Sequence, residues 1–284
     1  MKNILVISGK GGTGKTCITS SFAVLAQDKV IADCDVDAAN LHILLEPQIV
    51  EEHEFYSGRR FEIEESKCTQ CGQCTRLCRF DAISDYRIDP FSCEGCAACF
   101  YGCPSDAILA TDRLCGYWFI SQTAYGPMVH ARLNIAEENS GKLVTQVRQG
   151  AQKIAEETQA DYVIIDGAPG IGCPVIASLS GVDLAVVVTE PTISGFHDLK
   201  RVVDLAEGFD INYIVCINKY DLDETKTAQI EQWCTHKEIA VAAKIPFDPK
   251  VVDAVVNRYP PVLIRDSRVS LEITKLWDAV LTNC

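Results

Sequence analysis

Gly9-Lys10-Gly11-Gly12-Thr13-Gly14-Lys15-Thr16 stands directly behind an apolar run, Asn3 to Ser8, and opens a segment of helical composition, Lys15 to Gln27. The stretch fits GxxxxGK(S/T) in the strand-to-helix setting where that pattern cradles phosphate. Glycines let backbone N–H groups approach the anion, and the helix N-terminus adds a favourable dipole. On that reading Gly9, Gly11, Gly12, Thr13, Gly14, Lys15, Thr16 and Cys17 form the nucleotide cradle. Lys15 reaches the β- and γ-phosphates, and Thr16 holds Mg²⁺.

Outward from the loop, a second strand, Lys29 to Asp33, runs into Asp33-Cys34-Asp35-Val36-Asp37. The β/α alternation predicts a mostly parallel sheet flanked by helices. Asp37 is the expected cap of a helix beginning near Ala38. Pro47 to Gly58 is acidic and reads as a loop. The rhythm resumes with a helix, Lys142 to Thr158, and with buried strands at Tyr162 to Asp166, Leu184 to Val188, Asn212 to Asn218 and Ala240 to Ile245. Asp166 follows an apolar strand, the place of a carboxylate that holds Mg²⁺ directly or through water. Pro169, Gly170 and Gly172 after it read as a switch sensing the γ-phosphate.

Between these parts lies a repeat. Cys68, Cys71, Cys74 and Cys78 recur 25 residues later as Cys93, Cys96, Cys99 and Cys103, so eight of the 15 cysteines fall in this stretch. Each half reads CxxCxxCxxxC, the bacterial ferredoxin run, whose fourth Cys ligates the other cluster. That assigns Cys68, Cys71, Cys74 and Cys103 to one [4Fe–4S] cluster and Cys93, Cys96, Cys99 and Cys78 to a second. A zinc pair is the alternative, although the third closely spaced Cys is surplus to it. Pro104 follows Cys103, whereas Arg79 follows Cys78, so the halves are not equivalent. The expected architecture is an α/β domain, residues 1–60 and 112–284, interrupted by a small α+β ferredoxin-like domain, residues 61–111.

The loop KGGTGKT, with Lys10 as a second lysine, resembles the MinD/ParA/nitrogenase-iron-protein group of deviant-Walker P-loop ATPases. The resemblance covers Met1 to about Glu46 and about Leu143 to Phe247, and the whole resembles MinD-type ATPases carrying an inserted ferredoxin domain. It implies a homodimer that sandwiches ATP, with Lys10 crossing to the partner's nucleotide. It implies further that Asp35 orients the attacking water, that Asp33 and Asp35 lie at the Mg²⁺ with Thr16 and Asp166, and that Asn218 reads adenine beside Pro246-Phe247-Asp248. Lys10, Lys15 and Asp35 are thus the catalytic set.

The remaining cysteines and the one notable histidine draw plainer readings. Cys173 reads as a buried free thiol, with a bridging cluster as the alternative. Cys115 is surplus to the eight-Cys repeat, and His130 reads equally as a structural histidine or as one touching a cluster or partner. Cys34, Cys216, Cys234 and Cys284 need no metal.

The formal charge is −13, from 26 basic and 39 acidic residues. Such an excess opposes a nucleic-acid surface or an acidic-lipid anchor. The segment Ser270 to Leu281 has helical apolar spacing but lacks the basic face of a membrane-surface helix, so docking on the domain and no stable membrane association are expected. No run approaches the ~20 residues of a helical span. Grouped cysteines fit a reducing cytoplasm. The leading expectation is an ATPase, hydrolysing ATP with Mg²⁺, that gates electron transfer through two [4Fe–4S] clusters to an unidentified redox or metallocofactor protein. An ATP-dependent cluster carrier is the alternative, and a MinD- or ParA-like positioning ATPase is the third reading.

Overall fold

The computed structural model describes residues 1–135, 137 and 141–284. In chain order the first elements are β1 (Lys2–Ser8), α1 (Lys15–Leu25), β2 (Lys29–Asp33), α2 (Leu41–Leu45), β3 (Gln48–Ile63), α3 (Gln73–Leu77), β4 (Ile83–Ser84), β5 (Arg87–Ile88), α4 (Ala98–Tyr101) and β6 (Ile108–Thr123). The rest are β7 (Gly126–Leu133), α5 (Lys142–Thr158), β8 (Tyr162–Pro169), α6 (Cys173–Leu179), β9 (Leu184–Thr189), α7 (Ile193–Gly208), β10 (Asn212–Asn218), α8 (Glu224–His236), β11 (Val241–Ile245), α9 (Pro249–Val256) and α10 (Arg268–Asn283). The chain divides into two compact units, one of Met1–His53, Trp118–Leu133 and Glu138–Cys284, the other of Glu54–Tyr117 and Asn134–Glu137.

The first unit is built on a sheet in the order β11-β10-β9-β1-β8-β2-β7, completed by residues 118–123 of β6 and 48–53 of β3. Every pairing from β11 across to β7 is parallel. Parallel strands covered on both faces must be apolar throughout. Ile4, Leu5, Val6 and Ile7 of β1 are accordingly fully buried, as are Val186 and Val187 of β9. Helix α10 docks on this core through Val269, Ile273, Leu276, Trp277 and Val280, and the Trp277 ring lies 5.0 Å from Phe22. Leu271, part of the expected apolar stripe, faces outward instead. No helix among the described residues is long and apolar enough to cross a membrane.

The second unit has a small core of Phe61, Ile83, Cys99 and Ile108, against which Cys74, Cys78, Cys93 and Cys103 pack. Its internal repeat is visible in the backbone. Gly72 and Ala97 are both left-handed, at φ 71° and 63°, and each starts a short helix, α3 or α4, that carries one cysteine of its quartet. Residues 61–111 lie inside this unit, which also takes in the adjoining parts of β3 and β6.

Two sequence expectations fail here. Residues 48–58, read as an acidic loop, belong to the edge strand β3. Glutamates are poor strand formers, but an edge strand leaves most side chains in water, and pairing overrides propensity. Helix α2 starts at Leu41 with Asn40 as its N-cap, so Asp37 does not cap it.

Candidate functional site: a phosphate loop and its carboxylates

The C-terminal ends of β1, β2, β8, β9 and β10 converge on the phosphate loop, the usual ligand crevice of an open α/β sheet. Gly14 is left-handed at φ 95°, and a Cβ there would collide with the Asn218 amide. That amide donates to the Thr13 carbonyl at 2.8 Å. A side chain at position 14 would therefore both strain the turn and break the tie holding the loop to β10.

Around the loop the sequence-predicted carboxylates come together. Asp166 is fully buried, and its two oxygens accept from Thr16 Oγ1 at 2.8 Å and Thr19 Oγ1 at 2.9 Å. Thr19 was missed in the sequence because it lies one turn past the motif. Its hydroxyl also donates to the Lys15 carbonyl at 3.0 Å. Asp35 Oδ2 lies 3.8 Å from Lys15 Nζ, with both side chains nearly buried. Burial raises the Asp35 carboxyl to about 6, against the pull of Lys15. Asp166 is raised by burial too, with Lys15, Thr16 and Thr19 opposing. Asp33 is pushed well above the carboxylate range by burial and then by Asp166 and Asp35. Its Oδ1 accepts from the Asp35 N–H at 3.1 Å, while Oδ2 is buried without a hydrogen-bond partner. An orphaned carboxylate oxygen beside two more carboxylates is costly unless a cation or its water shell completes it. Thr16, Asp33, Asp35 and Asp166 offer only oxygen, the donor chemistry that a hard divalent cation takes.

Lys10 does not point into open solvent. Its Nζ lies 2.5 Å from Glu190 Oε1 and within hydrogen-bond distance of Ser194 Oγ, at 3.1 Å, and Thr192 Oγ1, at 3.3 Å. Glu190 Oε2 is shared with Lys219 Nζ at 3.3 Å, and that ammonium also donates to the Gly12 carbonyl at 3.0 Å. Burial opposes the charge of Glu190, but its hydrogen bonds to the two lysines hold the carboxyl below its ordinary value. Glu190, Thr192, Ser194 and Lys219 were not legible as site residues, since only the approach of β9 and β10 to the loop gives them that role. Beside the loop a cavity of about 250 Å³ is lined by Cys17, Ile18, Asn218, Lys219, Ile245 and Phe247, among others. It is largely apolar and suits a flat base.

In the second unit the eight repeat cysteines divide between two small cavities. Cys68, Cys71, Cys74 and Cys103 line one cavity, and Cys78, Cys93, Cys96 and Cys99 line another, each of about 20 Å³. Cys103 Sγ accepts from the Ala107 N–H at 3.3 Å. Among the described residues no group of three or more His, Cys, Asp or Glu side chains is placed to hold a metal ion. Cys115 is buried, and its thiol donates to the Ser57 carbonyl at 3.1 Å. His130 hydrogen-bonds Ser121 at 2.9 Å and stacks on Phe119, and burial lowers it to about 4, so it is structural. Cys173, expected to be buried, is exposed at the start of α6, because the helix turns its first residue outward.

The CobQ/CobB/MinD/ParA nucleotide-binding-domain family matches residues 4–262. An uncharacterized protein of Methanocaldococcus jannaschii is 34% identical over 280 residues, covering 97% of this chain and 95% of its own. The septum site-determining protein MinD of Bacillus subtilis is 24% identical over 289 residues, covering 98% and 88%. Among solved structures, the MinD cell division protein of Aquifex aeolicus superposes with a TM-score of 0.60 at 20% identity, covering 99% of this chain and 98% of its own. MinD of Pyrococcus horikoshii complexed with Mg-ADP gives 0.60 at 18%, covering 98% and 95%. These findings correct the expected role. The named relatives and structural neighbours are MinD proteins of septum-site determination and cell division, and gating of electron transfer through iron–sulfur clusters is overturned as the function. What the likeness shows is the α/β fold, and not a ferredoxin-like insertion.

Proposed function

This chain belongs to the CobQ/CobB/MinD/ParA nucleotide-binding family, and on that premise we propose that it is a nucleotide-driven switch that dimerises on ATP, hydrolyses it and thereby engages and releases a protein partner. The observation that carries this reading is the convergence of Lys15, Thr16, Thr19, Asp33, Asp35 and Asp166 on one glycine-rich loop. Loop N–H groups and Lys15 take the phosphates, and Thr16 with the three aspartates completes a Mg²⁺ site. Held there, Mg²⁺ would supply positive charge to the transferred phosphoryl. Asp35, raised to about 6 by burial, orients the attacking water. Lys10 leaves Glu190 and reaches the nucleotide of the second copy, serving as the positioned cation that stabilises the transition state. Asn218, Lys219 and Phe247 enclose the adenine.

The partner is a protein. The charge of −13 opposes nucleic acid, and α10 spends its apolar face on the core rather than on lipid. Aquifex MinD is found in a MinC:MinD complex, and recognition of the ATP-closed pair is the corresponding role here.

The second unit has its own assignment. Two rings of four cysteines around two small cavities support two [4Fe–4S] clusters, with Cys68, Cys71, Cys74 and Cys103 at one and Cys78, Cys93, Cys96 and Cys99 at the other. A zinc ion draws its thiolates to about 2.3 Å from one centre, whereas a cluster interposes its own iron and sulfide. Bound clusters complete a core too small to be stable alone.

The test is sedimentation and phosphate release. With Mg²⁺ and ATP the protein forms a dimer and turns over. Lys15→Ala loses both, and Asp35→Ala keeps the dimer but not the turnover. A wild-type chain that stays monomeric and releases no phosphate refutes the proposal.

A further inference from the structure

Three side chains with no part in the site above meet at the far end of α6. Cys34 lies between Asp33 and Asp35, its side chain fully buried. Its N–H donates to the Asp166 carbonyl at 2.8 Å, so it stitches the end of β2 to the end of β8. Its thiol neighbours Ser178, also fully buried, whose own hydroxyl donates to the Pro174 carbonyl at 2.8 Å within α6. Arg148, on α5, reaches the same place. Its Nη1 donates to the Ser178 carbonyl at 2.7 Å and also to the Ser180 carbonyl.

The last carbonyls of a helix have no partners inside the helix, and a cation is favoured beside them. Arg148 meets both needs for α6. The other end of α6 is held differently. Its N-cap is Gly172, without a side-chain cap, and it follows Gly170 at φ 94°. So the helix behind the γ-phosphate-sensing segment is hung on pliable glycines at one end and clamped by a guanidinium at the other. The clamped end, through Ser178, also neighbours Cys34, which stands between Asp33 and Asp35.

We propose that Arg148 is a positioning residue for ATP hydrolysis: it fixes the C-terminal end of α6 as the pivot about which residues 167–172 move, and with Ser178 and Cys34 keeps that pivot in register with Asp35. This inference rests on the proposed ATPase. Nucleotide affinity comes from the phosphate loop and does not pass through Arg148. Only the alignment of water, Asp35 and phosphoryl group depends on the pivot, and small misplacements of that kind cost up to about 10²-fold in rate.

The experiment compares Arg148→Met, Arg148→Lys and Cys34→Ala with wild type. Arg148→Met lowers kcat by about tenfold or more, leaves fluorescent Mg-ADP affinity within about twofold, and speeds backbone hydrogen exchange in residues 167–180. Arg148→Lys restores part of kcat, since an ammonium also donates to carbonyls. Cys34→Ala, which retains the clamp, shows a smaller loss of kcat without faster exchange in α6. A folded Arg148→Met with wild-type kcat overturns the proposal, and so does one that loses Mg-ADP affinity in step with its Tm. If the wild type hydrolyses nothing, the ATPase reading falls by itself, and the exchange arm still decides the pivot. Unchanged exchange in Arg148→Met overturns it.

Discussion

Glu190→Gln tightens the ATP-bound dimer. Lys10 is spoken for, with 2.5 Å to Glu190 and the second carboxylate oxygen bound to Lys219 at 3.3 Å. The side chains of Lys10 and Glu190 are 27% and 15% exposed. Such a pair lies between an exposed ion pair, worth at most about 1 kcal/mol, and a sheltered charged hydrogen bond of about 1.5–3 kcal/mol. A value of about 1–1.5 kcal/mol per chain is reasonable on those bounds. A two-fold dimer opens two such contacts, so removing them makes association more favourable by about 2–3 kcal/mol, a factor of roughly 30 to 160 in Kd. The measurement is sedimentation in Mg-ATP, with Asp35→Ala in both proteins to stop turnover. Salt narrows the gap, because it already weakens the contact in the parent. The gap also closes in acid. Glu190 is held below its ordinary value, so the contact exists above that range and is lost as pH falls through it. A Glu190→Gln dimer that is no tighter than the parent refutes the reasoning, for Glu190 then does not compete for Lys10.

Thr19→Val removes one of the two hydroxyls that orient Asp166 and leaves a buried carboxylate oxygen unsatisfied. It is expected to cost about 1–3 kcal/mol of stability and to raise the Mg²⁺ concentration needed for half-maximal turnover, read by denaturation and by a Mg²⁺ titration. Asp35, raised from its ordinary value to about 6, favours the fold while protonated, and that stability is lost as pH rises from the unfolded value through about 6. The decline of Tm between about pH 4 and 7 should therefore be shallower in Asp35→Asn. Gly14→Ala, strained at φ 95° and driven against Asn218, should lose nucleotide affinity at least tenfold by fluorescence titration. Anaerobic reconstitution should load about eight irons per chain, and Cys78→Ser should halve that figure, measured as iron and acid-labile sulfide.

The phosphate loop was legible because its function is local. Eight consecutive residues carry the turn, the N–H donors and the lysine, and any fold that places them between a strand and a helix makes the same cradle. The cysteine repeat was legible for a related reason, since its period is written in the spacing. Asp33, Asp35 and Asp166 could be named from their places after strands, but not their mutual contact, which arises where β2 and β8 run side by side. The acidic segment at 48–58 was misread because the alternation of an edge strand is masked when both of its faces meet water.

Sequence alone thus determined the class of the fold, the glycine-rich loop between strand and helix and the period of the cysteine repeat, because each depends on residues close together or on a period. Tertiary structure alone decided that Lys10 is held by Glu190, 180 positions away, that Thr19 orients Asp166, and that Arg148 closes α6. Those partners are ordinary residues on ordinary elements. Only the order of strands in the sheet sets which of them stand opposite each other, and with it which charges must pair and which carboxylates lie side by side.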